Sequence, residues 1–220
     1  MKLSKTTIEV LKNFANINPN LMIKQGNRLA TITAHKNVMS SVTIGETFPT
    51  DFGVYDLNEF LGVVSLFEDP DFTFSASNVI IKQDKNSVKF GAADASVLVS
   101  PTKEIVFPES DVDFNITAAQ LSMIQKTSSV LRGADLAIRG DGSKITATVH
   151  DKKNSALNSY SLDLGGTDKS FNIFLKVENL KMLPGDYAFS ASKKKISRFK
   201  ATGSDLVYYV AVEADTTFDF

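Results

Sequence analysis

Val54-Tyr55-Asp56-Leu57-Asn58-Glu59-Phe60-Leu61 and Phe174-Leu175-Lys176-Val177-Glu178-Asn179-Leu180-Lys181 follow one plan. In both, an apolar strand end runs into a helical stripe whose next apolar position comes three residues on. In the first, Asp56 with Glu59 three residues later forms a capping box, and Leu57, Phe60, Leu61 and Val64 make the stripe. The second predicts a short helix from Val177 to Leu183, with Leu180 and Met182 inside it and Pro184-Gly185 as the stop. Two further helices are read upstream. One opens at Ser4, with apolar positions at Ile8, Leu11, Phe14 and Ala15; the other opens at Thr117, capped with Gln120 and striped by Leu121, Ile124 and Leu131. The first helices of the two halves start about 113 residues apart and the second helices about 120 apart. Helix, strands, helix, strands therefore occurs twice. This predicts two similar domains, 1–107 and 108–220, with a connector at about 101–111 that holds Pro108 between acidic residues.

Between the helices the chain alternates as half-buried strands do. Phe72-Thr73-Phe74-Ser75, Ile145-Thr146-Ala147-Thr148-Val149 and Tyr160-Ser161-Leu162-Asp163-Leu164 put an apolar residue at every second place. Gly26-Asn27, Asp84-Lys85-Asn86, Gly140-Asp141-Gly142-Ser143 and Gly203-Ser204-Asp205 read as turns between such runs, which predicts antiparallel meanders. The fold class is α+β.

The chain has 220 residues and no cysteine, so thiol catalysis, disulfide scaffolds and Cys-ligated metal are excluded. Its two histidines, His35 and His150, form no local metal motif. Glu9 and Lys12 interrupt any apolar core behind Met1-Lys2-Leu3-Ser4-Lys5, and no run approaches the roughly 20 apolar residues of a membrane span. The expectation is a soluble cytoplasmic protein without a membrane partner. Gly165-Gly166-Thr167-Asp168-Lys169-Ser170 ends like a phosphate-binding loop, but Asp168 and Asp163 stand where that loop needs glycine. The carboxylate pairs Asp69/Asp71 and Asp111/Asp113 have no base or third ligand beside them in sequence and read as turn residues. No enzyme, metal or cofactor is expected.

Charge says more. Twenty-four basic against 25 acidic residues give a net charge of −1, too acidic for a protein that grips nucleic acid by counterion release alone. Yet the first, third and fourth helical segments hold Lys2, Lys5, Lys12, Lys126, Arg132, Lys176 and Lys181 against only Glu9 and Glu178. A solvated polar face and a shared phosphate-facing surface both fit that segregation. The run Lys193-Lys194-Lys195 with Arg198 and Lys200 is open in the same way between a solvated turn and phosphate contact. Phe218 and Phe220 are costly to leave in water, so the tail is expected to pack on something or to border a groove.

Met1-Lys2-Leu3-Ser4-Lys5, Leu11-Lys12-Asn13-Phe14-Ala15, Tyr55-Asp56-Leu57-Asn58 with Phe60-Leu61-Gly62, Lys181-Met182 with Pro184-Gly185, and Ala211 to Phe220 carry a resemblance. The chain resembles the sliding clamps, or DNA polymerase processivity factors, of T-even-type bacteriophages. The resemblance implies two DNA-clamp domains with antiparallel sheets outside and two helices per domain lining a ring. It implies a homotrimer that encircles double-stranded DNA without reading sequence and tethers the replicative DNA polymerase. Such a ring is loaded by a separate ATP-driven clamp loader in the cytoplasm of the infected bacterial host, and phage late-transcription factors are among its implied partners. On this footing Lys5, Lys12, Lys126, Arg132, Lys176 and Lys181 face DNA. Ile105, Val106, Phe107, Phe218 and Phe220 line a pocket for the polymerase's C-terminal peptide. Val97, Leu98 and Val99 meet Tyr160, Leu162 and Leu164 of the next subunit, sheet edge to sheet edge. A β-rich phage virion structural protein is the alternative, since two sheet-rich domains and oligomerisation suit that role too.

Overall fold

The Ser4 hydroxyl accepts a hydrogen bond from Thr7 N and so opens α1 (Lys5–Ile17). The computed structural model in which this is seen describes residues 1–154 and 158–220, and the chain divides into two units, Met1–Glu104 and Ile105–Phe220. In the first unit α1 is followed by β1 (Leu21–Ile23), β2 (Gly26–Ile32), β3 (Val38–Phe48) and β4 (Phe52–Val54). Then come α2 (Leu57–Val64), β5 (Asp71–Phe74), β6 (Asn78–Gln83) and β7 (Asn86–Gly91). β1 pairs with β4, β2 with β3, and β5, β6 and β7 form a three-stranded antiparallel sheet. α1 buries Val10, Leu11, Phe14 and Ile17; it also buries Thr7 more deeply than the expected Ile8, because Thr7 Oγ1 donates to Glu46 Oε2 at 2.7 Å. Phenylalanines dominate this core. Phe74 meets Phe48 and Phe52 edge-on at 5.2 and 5.3 Å, and Phe60 meets Phe90 at 5.4 Å. Gly26-Asn27 is not a turn but the start of β2, where Gly26 at φ 115° sits in a register shift.

The second unit runs β8 (Val112–Ile116), α3 (Ala118–Leu131), β9 (Asp135–Asp141), β10 (Lys144–His150), β11 (Tyr160–Gly166) and β12 (Ser170–Lys176). It continues through β13 (Tyr187–Ser192), β14 (Ile196–Ala201), β15 (Val207–Ala211) and β16 (Thr217–Phe218). β8, β13, β14 and β15 pair in that order, and a five-stranded sheet runs β11-β10-β9-β12-β16, all antiparallel. Leu121 and Ile124 of α3 are buried, as are alternate residues of β10 and β12 and the consecutive Leu136, Ala137 and Ile138 of β9. The capping box of Thr117 and Gln120 forms as expected.

The fourth expected helix does not form. Val177–Asn179 is a single 3-10 turn with no side-chain cap at Lys176, and Pro184 disfavours helical backbone at Leu183. Side chains take over the backbone groups that a helix would satisfy internally. Gln125 Nε2 donates to Leu180 O at 2.7 Å, Tyr187 OH donates to Leu183 O at 2.6 Å, and Leu183 N donates to Tyr208 OH at 3.2 Å. Burial pushes the Tyr187 phenol well above its ordinary pKa. The second unit therefore has one α-helix among its described residues.

Two details recur in both units. Each helix N-terminus is met by a carboxylate of this chain: Glu46 accepts from Ser4 N, Asp56 from Asn58 N and Glu59 N, and Asp186 from Ala118 N at 2.7 Å. In addition, one outer strand of each unit is covered. Met1 exchanges both backbone hydrogen bonds with Phe72 of β5, at 2.8 and 2.7 Å. On β12, Glu213 N donates to Phe174 O, Phe174 N to Thr216 Oγ1, and Asp219 N to Ser170 O, on either side of the β16 pairing. β7 and β11 have no strand on their outer sides among the described residues.

Candidate nucleic-acid and partner interfaces

Lys5 and Lys12 of α1 are exposed and share one helix face with Glu9. They line a cleft of about 550 Å³ with Leu61 and Val64 of α2 and the acidic Glu68 and Asp69. Lys2 lies ahead of α1 and is ion-paired to Asp69.

In the second unit the expected cations divide. Lys176 and Lys181 line a polar cleft of about 780 Å³ with Gln125, Ser128 and Ser129 of α3. Lys153, which is not among the expected cations, lines the same cleft. Its anionic side is Asp135, Asp151 and Glu178. Lys176 is not a spare charge there: its ammonium donates to Asp135, and that bond raises its pKa. Lys126 stands elsewhere on α3, in a cleft with Met123, Val130 and Tyr160, the first residue of β11. Arg132 is the exposed C-cap of α3, in left-handed backbone at φ 55°.

The five residues expected to form one peptide pocket fall into two groups with different neighbours. Val106 is 90% exposed, while Phe107 stacks on Tyr209 at 6.3 Å beneath the Arg198 guanidinium at 4.5 Å. Phe218 and Phe220 meet each other edge-on at 6.2 Å, and the ammonium groups of Lys169 and Lys193 both approach the Phe220 ring.

Of the expected sheet edges, Tyr160, Leu162 and Leu164 lie on β11, an outer strand. Val97, Leu98 and Val99 do not lie on a strand, which corrects the expectation for that side. Ala95–Val97 is a 3-10 turn, and the backbone of Val99 is already used: its N–H donates to Asn20 Oδ1 at 2.9 Å and its carbonyl accepts from Asn18 Nδ2 at 3.1 Å. Leu98 packs so close to Gly53 that a methyl group there would overlap it. The outer strand of this unit nearest in sequence is β7, with Val88, Lys89 and Phe90.

A family model described as DNA polymerase processivity factor matches residues 2–100, and one described as gp45 sliding clamp, C terminal, matches residues 113–214. The sliding clamp of Enterobacteria phage T4 is 37% identical over 229 aligned positions, and that of Escherichia phage RB69 is 35% identical over 231, each alignment covering all of both chains. The sliding clamp of Vibrio phage KVP40 is 32% identical and covers 97% of this chain and all of its own. Among solved structures, proliferating cellular nuclear antigen from Entamoeba histolytica superposes with a TM-score of 0.68 at 16% identity over 94% of each chain. The DNA polymerase III beta chain of Streptococcus pneumoniae superposes with a TM-score of 0.68 at 14% identity, over 97% of this chain and 64% of its own. These last two are alike in fold.

Proposed function

The chain belongs to the phage sliding-clamp family of DNA polymerase processivity factors, and on that premise we propose that three copies close into a ring around double-stranded DNA. The observation that carries the ring is that each unit has an outer strand without a partner on one side, β7 in one unit and β11 in the other. An unpaired strand edge must be covered or joined. Two different edges on one chain join head to tail, and a head-to-tail contact closes into a ring when its rotation allows. Two domains per copy then make six per ring. Val88 and Phe90 meet Tyr160 and Leu162 across each junction, with Lys89 and Asp163 as the charged pair.

Lys5, Lys12, Lys126, Arg132, Lys176 and Lys181, with Lys153 added, face the encircled duplex. Lys176 serves through its pairing with Asp135. A ring retains DNA by topology, so a few long cationic side chains among acidic ones suffice, and none reads bases. The polymerase docks a C-terminal peptide against Ile105, Val106 and Phe107, where an exposed apolar side chain adjoins the Phe107–Tyr209 stack. Clamp action takes place in the infected host's cytoplasm. It includes no catalytic step by this chain, so ATP hydrolysis during loading belongs to a separate loader.

Native mass spectrometry and retention on nicked circular DNA test the reading together. A trimer that stays on circular DNA and slides off after linearisation is the expected result. Large open assemblies would favour a virion structural role instead. For the peptide, Val106→Asp should lower the affinity of a polymerase C-terminal peptide at least tenfold while the trimer persists; unchanged affinity moves the site off the connector.

A further inference from the structure

The run Lys193-Lys194-Lys195 has a use that neither phosphate contact nor a solvated turn describes. Lys195 Nζ donates to Ala214 O at 3.2 Å and also to Thr216 O. Lys193 Nζ donates to Phe220 O at 2.8 Å and lies 4.5 Å from the Phe220 ring centre. Lys169 Nζ approaches the same ring at 4.9 Å, and Lys152 is ion-paired to Asp215. Four lysines from three separate loops thus converge on one seven-residue segment. That segment is itself acidic and aromatic: Ala214-Asp215-Thr216-Thr217-Phe218-Asp219-Phe220.

The hold is wide but shallow. β16 is two residues long, pairing Phe218 with Phe171 and Thr217 with Asn172, and Phe220 remains 48% exposed. Only Thr216 is fully buried in the segment, with its Oγ1 accepting from Phe174 N at 3.0 Å. Exposed ammonium contacts contribute little individually. A segment held this way stays seated largely because it is tethered, at an effective concentration on the order of millimolar.

We propose that the outer edge of β12 with Lys152, Lys169, Lys193 and Lys195 is an exchangeable peptide site, which the chain's own tail occupies in cis. Its partner is an extended segment of another protein with two aromatic residues separated by one acidic residue. Such a segment adds to β12 as a strand, sets its aromatic rings beside Phe171 and within reach of Lys169 and Lys193, and frees residues 215–220. The seated tail displays the chemistry that the site accepts. The site is separate from the Phe107 stack and does not depend on how copies assemble.

The probe is a fluorescein-labelled peptide of sequence Asp-Thr-Thr-Phe-Asp-Phe, read by anisotropy. A chain ending at Ala214 should bind it at least tenfold more tightly than the full chain. Lys193→Ala with Lys195→Ala in the shortened chain should remove at least fivefold of that affinity. Should the shortened chain fail to fold, Phe218→Ala with Phe220→Ala in the full chain frees the same edge and should likewise tighten peptide binding. Equal binding to tailed and tail-freed chains overturns the proposal, as does binding indifferent to the two lysines. Tail-freed chains that capture full-length chains in preference to peptide would make a second copy the occupant, and would overturn it too.

Discussion

Lys176 and Asp135 are register partners on β12 and β9, and the ammonium of the first donates to a carboxylate whose residue is only 4% exposed. Burial works to raise the Asp135 pKa, but the Lys176 bond and the Lys152 N–H, at 2.9 Å, outweigh it and hold the carboxyl below its ordinary range. A carboxyl depressed on folding stabilises the fold above its unfolded pKa, near 4, and that stabilisation is lost as pH falls through the lower folded value. Urea denaturation should therefore show a stability loss below about pH 4 that Asp135→Asn flattens. At pH 7 the same substitution should cost about 1–3 kcal/mol.

Removing exposed cations from the helices should separate function from folding. Lys5→Ala, Lys12→Ala and Lys126→Ala together should lower processive synthesis at physiological salt by roughly fivefold or more. Each should change stability by about 1 kcal/mol or less, since all three are exposed. Thermal denaturation alongside a primer-extension assay checks both halves; a lowered Tm with unchanged processivity would reverse the assignment.

The β7–β11 junction predicts a charge swap. Lys89→Glu and Asp163→Lys should each weaken the trimer about tenfold, on the order of 1.4 kcal/mol per junction. Combined in one chain, they should restore it. Sedimentation equilibrium across a concentration series reads the three proteins directly, and a double variant as weak as either single one rules the pairing out.

Gly53 of β4 has no room for a side chain. A methyl group there would overlap the Ala93 carbonyl oxygen as well as Leu98, and Ala93 N already donates to Gly53 O at 2.8 Å. Gly53→Ala should cost about 1–3 kcal/mol of unfolding free energy, measured by chemical denaturation. It should also loosen the 93–99 segment, seen as faster amide exchange at Val97 and Val99.

The features legible in sequence were those with local causes. Ser4, Asp56 and Thr117 each cap a helix through neighbours two or three residues on, and Asp141-Gly142 makes its hairpin turn with Gly142 at φ 85°. The features that local sequence does not show have partners far along the chain. Val97-Leu98-Val99 looks like a strand, yet its backbone is taken by Asn18 and Asn20, 81 and 79 positions away. Lys176 looks like a free cation until Asp135, 41 positions back, is brought beside it. The Val177–Leu183 stripe is periodic enough for a helix, but Tyr187, Tyr208 and Gln125 stabilise a non-helical path that Pro184 already favours. The lysine run beside the tail was ambiguous for the same reason, since charge alone does not say what it will hold.

On the proposed ring, the carboxylates at the N-termini of the three α-helices among the described residues bear on motion along DNA. A bare helix end is a station where a phosphate can park, gripped by several fixed N–H groups at once. Glu46, Asp56 and Asp186 occupy all three such stations with negative charge of the chain's own. With the lysines placed on the duplex as proposed, what remains for it is a set of long, flexible stems, each able to release one phosphate as it reaches for the next. That proposal entails a shallow energy profile along the DNA axis and movement with low friction, because the best phosphate anchors are already filled.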